Sequence, residues 1–394
     1  MQTVTTDLVI LGGGIAGLWL LNRVRQQGFD AILLETHSLG GRQSVRSQGI
    51  IHGGTKYALN GVLTQASNSI ADMPSRWRAC LEGEGELNLS QARILSDAHY
   101  MWSKASLGSK MTTFLASKAL KGRVDQVSAK ERPQVFQNPK FRGNLYKLNE
   151  IVLDVPSVIE ALARPNMQQI CKVDPSEVRL ETLNGEVQAV QLNQLRIKAQ
   201  RYITTAGEGS EELLQQLGID QPQMQRRPLH MVVIRHRSDL PTFAHCISSG
   251  SKPIVTITTH PTQDGEQVWY LGGDLAEAGV KRSSEEQIKE AQQLIAKLLP
   301  WVELNDARWG SFHINRAEPK QSSLTRPDSA FAQLSGNCVI SWPTKLALAP
   351  DLADQVLGML SEQNITPCAK ADRSVLALLA KPEIAEPVWE SLFC

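Results

Sequence analysis

The chain has 394 residues, of which 42% are hydrophobic, and its 41 basic and 40 acidic residues give a formal net charge of +1. This length accommodates two domains or one large domain with a proper core, and the composition excludes a disordered chain. So balanced a charge gives no electrostatic reason to expect nucleic acid or an anionic membrane as the main partner.

The cysteines and the apolar runs predict a soluble, cytoplasmic protein without a metal site. No CxxC spacing occurs, which is typical of reduced structural thiols. The run "LVILGGGIAGLWLL" follows Asp7 where a signal peptide has basic residues, and no other run reaches the roughly 18 apolar residues of a membrane span. Peripheral membrane contact and the oligomeric state stay open. The cysteines are Cys80, Cys171, Cys246, Cys338, Cys368 and Cys394.

The first part of the chain predicts a complete βαβ unit. Residues 7–11 form an apolar run before a glycine turn, residues 15–27 have helical spacing up to Gly28, and residues 31–35 are again apolar. Two such apolar strands joined by a helix predict a parallel sheet that is buried on both faces.

The middle of the chain mixes helix-like and β-like segments. Helix-like segments continue to about residue 122, and a polar excursion follows over 123–149. "EIVLDVPSVIEALA" then predicts a strand and a helix, and "QICKV", "EVQAVQL" and "LRIKAQRYITTAG" predict strands before a short helix that Gly218 closes.

The second half predicts a different kind of sheet. From about 226 to 273 the β segments alternate, which is typical of antiparallel strands. Ser283 and Glu286 form a capping-box pattern for the next helix. "NCVISWPTKLALAPDLADQVLGML" predicts a strand, a loop and a helix, and the last thirty or so residues predict a short helical tail.

Gly12, Gly14 and Gly17 form the pattern GxGxxG between the first strand and the first helix. The first glycine allows a tight turn, the second lets a pyrophosphate approach the backbone, and the third lets the helix pack on the strand. Glu35 ends the second strand, where its carboxylate can accept hydrogen bonds from both hydroxyls of a ribose. The unit therefore predicts a dinucleotide site, and the carboxylate favours FAD or NAD over NADP.

This unit, the loop "THSLGGRQSVRSQG" and the returning "ITTAG" together resemble the FAD-dependent oxidoreductases of the D-amino-acid oxidase and glycine oxidase type. The resemblance implies non-covalently bound FAD and an α/β fold in which a Rossmann-like FAD-binding domain carries an inserted antiparallel-sheet substrate domain. It implies an FAD-binding domain of residues 1–95, 150–225 and 315–394, and a substrate or cap domain of residues 96–149 and 226–314.

The resemblance also implies a set of cofactor-binding residues. These lie in the glycine turn, in the loop that wraps the pyrophosphate, at the adenine, in the returning strand and at the pyrimidine end of the flavin, where a positive charge stabilises the reduced ring. The residues are Gly12, Gly14, Ile15, Ala16, Gly17, Glu35, Arg42, Gln43, Ser44, Ser47, Gln48, Gly49, Val173, Gly207, Thr344, Lys345 and Leu346.

The stretch "IIHGGTKY" resembles a motif of flavin-linked glycerol-3-phosphate dehydrogenases and one of L-2-hydroxyglutarate dehydrogenases. The resemblance implies hydride transfer to flavin N5 from a small-molecule substrate, an anionic hydroxy or amino compound, while a base takes a proton. His52 is the candidate for the base, or for a hydrogen bond to substrate or flavin, and Lys56 faces the substrate where those relatives carry arginine. A histidine that only satisfies backbone groups is the structural alternative.

Arg316 in "INRAEP" falls where amino-acid oxidases carry an arginine that clamps a substrate carboxylate. An ordinary surface ion pair with Glu318 is the alternative. His245 and His260 lie in the predicted antiparallel sheet, where each could reach the site or be an ordinary sheet residue.

Two other functions stay open. The same fold could oxidise a larger substrate in a modification or specialised biosynthetic pathway. The chain could instead be an FAD-holding subunit of a complex, with the tail "SVLALLAKPEIAEPVWESLFC" as a docking element, although a tail that closes over the protein's own surface is the simpler interpretation.

Overall fold

The computed structural model describes residues 2–54, 70–104, 124–247, 252–320, 329–371 and 373–393. Within these residues the chain forms two eight-stranded sheets and one three-stranded sheet. The helices are α1 (Ile15–Gln26), α2 (Met73–Leu81), α3 (Val155–Ala163), α4 (Ser210–Gln216), α5 (Asp274–Ala278), α6 (Ser284–Leu298), α7 (Ala349–Glu362), α8 (Arg373–Leu376) and α9 (Val388–Leu392).

The first sheet has a parallel centre that the βαβ unit begins. Its strands are β1 (Gln2–Leu11), β2 (Ala31–Glu35), β9 (Ile170–Lys172), β10 (Val178–Leu183), β11 (Glu186–Leu192), β12 (Leu195–Thr204), β18 (Phe331–Ser335) and β19 (Cys338–Trp342). β1 pairs in parallel with β2 and β12, β9 continues this order beyond β2, and β19 continues it beyond β12.

Both faces of this parallel centre are buried, as the sequence predicts. Leu8 and Ile10 belong to the core cluster that contains α1 and α7, and Val9 and Leu11 belong to the cluster on the opposite face. All four side chains are at most 4% exposed. Apolar side chains on both faces of β1 are buried, which explains why this strand lies in the middle of the sheet.

The second sheet is antiparallel except for one parallel pair. Its strands are β5 (His99–Lys104), β6 (Val124–Gln126), β7 (Gly143–Leu148), β13 (Met224–His236), β14 (Ala244–Ile247), β15 (Pro253–Pro261), β16 (Gln267–Gly272) and β17 (Arg308–Pro319), in the order β17-β13-β16-β15-β14-β5-β7-β6. β14 and β5 form the parallel pair. Ala291 and Ile295 of α6 pack on one face of this sheet with Ile257 and Leu271.

The opposite face of the second sheet contacts the loop that follows β2. The hydroxyl of Tyr270, on β16, donates a 2.7 Å hydrogen bond to the carbonyl of Arg46. A small antiparallel sheet of β3 (Ile50–Ile51), β8 (Ile151–Leu153) and β4 (Ile94–Ser96) carries the segment that comes next in the chain, residues 52–54.

Several local predictions are confirmed and others are wrong. The Ser283 capping box forms on both sides, because the Ser283 side chain accepts from the Glu286 amide and the Glu286 side chain accepts from the Ser283 amide. The helix-like interpretation up to residue 122 is wrong for 94–104, which form β4 and β5. Pairing with β7 and β14, far along the chain, decides this structure. The polar segment 123–149 also contributes two strands, β6 and β7.

The tail is less helical than predicted, since α8 and α9 are its described helices and each is short. Val375 and Leu376 pack in the core below the first sheet, and Trp389 packs on Tyr270 of the second. The described part of the tail therefore runs across both sheets. Among the described helices, none is both long and apolar enough to cross a membrane. The division into an FAD-binding and a cap domain stays a prediction, which the two large sheets support.

Candidate active site

The glycine turn between β1 and α1 needs glycine at two positions for packing. Gly12 has a φ of +115°, and a Cβ there would lie 2.7 Å from the backbone of Thr205 and Ala206. A Cβ on Gly17 would lie 2.0 Å from the carbonyl oxygen of Gly12. Gly14 is the N-cap of α1 and offers no side chain, so the first amides of the helix point into the turn.

Glu35 stands beside this turn at the end of β2. Its Oε2 accepts a 2.6 Å hydrogen bond from the Gly13 amide, and its Oε1 accepts one of 2.8 Å from the His37 amide. Val173, the predicted adenine contact, donates its amide to the carbonyl of Glu35 at 2.9 Å. A carboxylate has about four acceptor positions, so two remain for the hydroxyls of a ribose.

The wrapping loop also meets the turn. Ser44 is buried, and its hydroxyl oxygen accepts a 3.0 Å hydrogen bond from the Ile15 amide, which satisfies one of the first amides of α1. Gln43 lies next to Gly207, whose φ is +58°. Arg42 contacts the imidazole of His37. The structure thus brings together the predicted residues of the turn, the loop and the returning strand.

The end of the loop is fastened to the second sheet. The Gln48 side-chain amide donates to the carbonyls of Thr256 and Tyr270, at 3.1 and 2.8 Å. Gly49 has a φ of +71°, and a Cβ there would lie 2.2 Å from the Leu153 carbonyl oxygen. Ser47 lies one residue before Gln48 and accepts a 3.4 Å hydrogen bond from the Gly49 amide. The Gln48 side chain therefore holds the loop against the sheet.

The loop between β19 and α7 carries the predicted pyrimidine contacts. Thr344 has a φ of +58°, which is an outlier for a β-branched residue, and its hydroxyl donates to the Ser329 carbonyl at 3.0 Å. Lys345 is buried, and Leu346 begins the short turn that leads into α7. The Trp342 indole donates to the carbonyl of Gly207 at 3.2 Å, which ties this loop to the returning strand.

His52 lies just after β3, with its side chain 18% exposed. Its Nδ1 is 3.3 Å from Oε2 of Glu150, and the Gly53 amide donates to Oε1 of Glu150 at 3.2 Å. Glu150 lies between β7 and β8 and is 1% exposed. No sequence pattern singles out Glu150, because an acidic residue in a polar segment is ordinary. Its importance depends on its position beside His52 in the folded chain.

Two further histidines come to the same place from the second sheet. Nε2 of His245, on β14, is 3.9 Å from the same Glu150 oxygen, and its Nδ1 is 2.7 Å from the Thr256 hydroxyl. The ring of His99, on β5, lies 4.2 Å from that of His245. The ligand atoms of His52, Glu150 and His245 lie within 4.8 Å of one another, a set that could hold a metal ion.

The other predicted residues are placed elsewhere. Lys56 lies outside the described residues. Arg316 is on β17, which β13, β16 and β15 separate from β14, and it lies 3.5 Å from Glu277. The pairing with Glu318 that the sequence left open goes to Arg227. His260 is fully enclosed against Trp389 and Thr258.

A cavity of about 140 Å³ opens between the wrapping loop and β17. A larger open groove of about 370 Å³ lies along α1 and α3, but it contains none of the predicted site residues, so the smaller cavity is the one beside the site. The residues that line it are Arg42, Gln43, Arg46, Glu208, His313, Ile314 and Asn315.

The donors and acceptors present fit FAD. A glycine turn at the start of α1, whose N-cap Gly14 has no side chain, suits a pyrophosphate, and Glu35 with its remaining acceptor positions suits a ribose. The positive φ of Thr344 lets the loop before α7 turn sharply next to Gly207. Gly12, Gly14, Glu35, Ser44 and Lys345 would hold the cofactor.

Comparisons with known proteins agree with this fit. Residues 7–322 match the family model described as DAO, FAD dependent oxidoreductase. The chain is 49% identical over 395 residues to a probable FAD-dependent oxidoreductase of Pseudomonas aeruginosa, covering 100% of this chain and 99% of that protein. The crystal structure of an FAD-dependent oxidoreductase from Pseudomonas aeruginosa matches with a TM-score of 0.87 and 45% identity over 100% of both chains.

More distant structures share the fold. L-α-glycerophosphate oxidase from Mycoplasma pneumoniae, solved with FAD bound, matches with a TM-score of 0.65 and 15% identity, over 95% of this chain and 98% of that one. Glycine oxidase from Geobacillus kaustophilus matches with a TM-score of 0.67 and 12% identity over the same shares. At these identities the likeness is one of fold.

Proposed function

The chain belongs to the DAO family of FAD-dependent oxidoreductases, and from this premise we propose that it oxidises a small anionic hydroxy or amino substrate, with His52 as the base. The observation that carries the proposal is the contact between His52, just after β3, and the buried carboxylate of Glu150, between β7 and β8. Histidine is the side chain that most often serves as a general base, and a neighbouring carboxylate can orient its ring.

FAD would supply the redox chemistry when bound, as the acceptor of a hydride from a substrate carbon. The chain has the other tasks. The glycine turn and Glu35 would hold the dinucleotide, and His52 takes the proton from the substrate hydroxyl or amine. Gln48 holds the end of the wrapping loop against the second sheet, shortly before β3 and His52.

The anionic character of the substrate rests on two cationic side chains of the wrapping loop. Arg42 and Arg46 line the cavity of about 140 Å³ beside that loop. Guanidinium groups bind carboxylate or phosphate through paired hydrogen bonds. Names of the distant fold relatives include both kinds of substrate, a glycerophosphate and an amino acid.

Anaerobic reduction of the flavin tests this proposal. The FAD-loaded protein is mixed with glycerol-3-phosphate, L-2-hydroxyglutarate, glycine and a set of D-amino acids, and the absorbance of oxidised flavin is followed. We expect one member of the panel to bleach it. His52→Asn should retain FAD and slow the reduction by roughly 100-fold or more, because general-base catalysis contributes about that much.

Glu290→Gln is the control, since Glu290 is exposed on α6, which packs on the face of the second sheet opposite the wrapping loop, and this variant should reduce at the rate of the unaltered protein. No bleaching by any compound would overturn the small anionic substrate. Equal rates for His52→Asn and the unaltered protein would overturn the role of His52.

A further inference from the structure

We propose that Glu150 is the positioning residue for His52: its buried carboxylate fixes the imidazole in the tautomer that carries its proton on Nδ1 and leaves Nε2 to accept a proton. This inference rests on the proposed function, in which His52 is the base. Glu150 lies 98 residues from His52 in the sequence, in the connection between β7 and β8.

The geometry of the carboxylate fixes the tautomer. Oε2 of Glu150 lies 3.3 Å from Nδ1 of His52. An ionised carboxylate accepts hydrogen bonds and donates none, so an ionised Glu150 requires the hydrogen on Nδ1. The Gly53 amide donates to Oε1 at 3.2 Å, which fixes the rotation of the carboxylate. His52 and Gly53 therefore each contact one oxygen of the Glu150 carboxylate. The Nε2 atom of His52 lies on the side of the ring that points away from Glu150.

Two imidazoles lie beside this carboxylate and a third packs on one of them, and the three come from different elements. His52 comes from the segment after β3, His245 from β14 and His99 from β5, while Glu150 itself comes from the turn between β7 and β8. His245 is 3% exposed and His99 is fully buried, whereas the His52 side chain is 18% exposed. His52 is therefore the imidazole of the three that reaches solvent, and Oε2 of Glu150 lies nearer to it, at 3.3 Å, than to His245, at 3.9 Å.

The proton step follows from this arrangement. As the substrate carbon loses its hydride, the O–H or N–H bond of the substrate breaks and its proton joins Nε2 of His52. The resulting imidazolium keeps its Nδ1 proton on the side of Glu150, and the carboxylate balances its charge. The proton can leave to solvent from His52, because this imidazole is the most exposed of the three.

A metal ion is the competing occupant of these residues. Ligands about 2.1 Å from a tetrahedral zinc ion lie roughly 3.4 Å from one another. Nε2 of His245 is 3.9 Å from the Glu150 oxygen, and the Thr256 hydroxyl holds the other nitrogen of that ring. The distance of 3.3 Å between His52 and Glu150 fits a hydrogen bond as well as a shared ion. The longer distance from His245 to Glu150, and the contact of its other ring nitrogen with Thr256, therefore favour proton transfer over metal binding.

Nuclear magnetic resonance of the FAD-loaded protein, labelled with ¹⁵N histidine, tests the proposal without turnover. Long-range ¹H–¹⁵N spectra between about pH 5 and 9 report the tautomer and the pKa of each imidazole, and His52→Gln identifies the His52 signals. We expect neutral His52 to be protonated on Nδ1. Glu150→Gln should lower the pKa of His52 by about one unit or more, because it removes a neighbouring negative charge.

Glu290→Gln, which removes an exposed carboxylate from α6, is the matched control and should leave the His52 signals unchanged. Neutral His52 with its proton on Nε2 in the unaltered protein would overturn the proposal and needs no variant that has to fold. An unchanged His52 pKa in Glu150→Gln would overturn it as well. So would one equivalent of a divalent metal that survives dialysis and is lost in His245→Ala, which would establish a metal centre.

The substrate panel separates this inference from the proposed function. If no compound bleaches the flavin but the tautomer and the pKa shift are as expected, the proposed function fails and the positioning of His52 stands. If a substrate is found, His52→Asn is slow and Glu150→Gln is as fast as the unaltered protein at every pH, the inference about Glu150 fails alone.

Discussion

The amide of Gly13 donates a 2.6 Å hydrogen bond to Oε2 of Glu35, and this contact joins the glycine turn to the end of the neighbouring strand. It places the acidic end of β2 against the backbone that faces a pyrophosphate. The carboxylate therefore has two roles, since it orders the turn and offers its remaining acceptor positions to a ribose.

Replacing Glu35 with Gln should weaken FAD binding by about tenfold, because hydrogen bonds to a charged acceptor contribute roughly 1.5–3 kcal/mol each and the amide keeps only part of them. The dissociation constant can be measured from the quenching of flavin fluorescence as apoprotein is added. Glu212→Gln, at an exposed position of α4, is the control. Equal affinity for the two variants would exclude Glu35 from the ribose site.

The parts that could be predicted from sequence are those in which local chemistry decides. Gly12 and Gly17 are needed because a Cβ would meet backbone atoms, and Ser283 caps a helix within four residues, so a short window contains the whole interaction. The resemblance of the chain to FAD-dependent oxidoreductases is also confirmed.

The remainder depends on pairing between distant segments. β5 forms because it pairs with β14, more than a hundred residues further on, and the local pattern of "HYMWSK" gives no hint of this. Glu150 becomes important only through its contact with His52. The assignment of the individual cofactor and catalytic residues stays a prediction that the variants described here test.

Gly17→Ala should disrupt the turn, since the added methyl group would lie 2.0 Å from the Gly12 carbonyl oxygen and α1 would have to move away from β1. We expect the free energy of unfolding to fall by about 1–3 kcal/mol, the usual cost of overpacking, together with a loss of bound FAD after gel filtration.

Gly358→Ala makes the same chemical change in α7, where no atom lies within 4 Å of the added Cβ. It should raise the free energy of unfolding by roughly 0.5–1 kcal/mol through helix propensity. Urea denaturation of both variants checks the pair. If the two variants changed the free energy of unfolding by similar amounts, the close contact at Gly17 would have relaxed without loss of stability.

His260 should make the protein sensitive to acid. Burial lowers its pKa to about 3, from the ordinary value of 6.5. Between these values the unfolded chain binds a proton that the folded chain does not, so the stability present above pH 6.5 is lost as the pH falls toward 3. One proton corresponds to a slope of roughly 1.4 kcal/mol per pH unit.

His260→Gln should reduce the slope of the free energy of unfolding against pH between about pH 6 and 4, as measured by denaturant titration at each pH. His37→Gln, which removes an exposed imidazole, gives the reference slope. If the slope of His260→Gln equals that of the unaltered protein, other groups cause the acid sensitivity.

Asp7 fastens the segment before the tail to the start of the first sheet. Its side chain is fully buried and accepts hydrogen bonds of 2.8–3.0 Å from the amides of Asp30, Cys368 and Ala369. Asp7→Asn directs an NH₂ group at some of these donors, so we expect a loss of about 2–3 kcal/mol in the free energy of unfolding.

Faster hydrogen exchange at the Cys368 and Ala369 amides should accompany this loss. Asp220→Asn, at an exposed position, should change neither measurement. Unchanged exchange at those two amides in Asp7→Asn would mean that other contacts hold the segment in place.

Trp389→Ala tests whether the tail closes the protein's own surface or serves as a docking element. Trp389 is 3% exposed, and its ring lies 5.8 Å from that of Tyr270 and 4.7 Å from that of His260. Truncation of so buried a tryptophan should cost about 3–5 kcal/mol. Leu378→Ala in the same tail should cost almost nothing, because Leu378 is 83% exposed.

Guanidinium unfolding measures the stability of both variants, and sedimentation velocity measures their oligomeric state. A stable Trp389→Ala variant with an altered oligomeric state would support docking, because the tryptophan would then belong to an interface and not to the core.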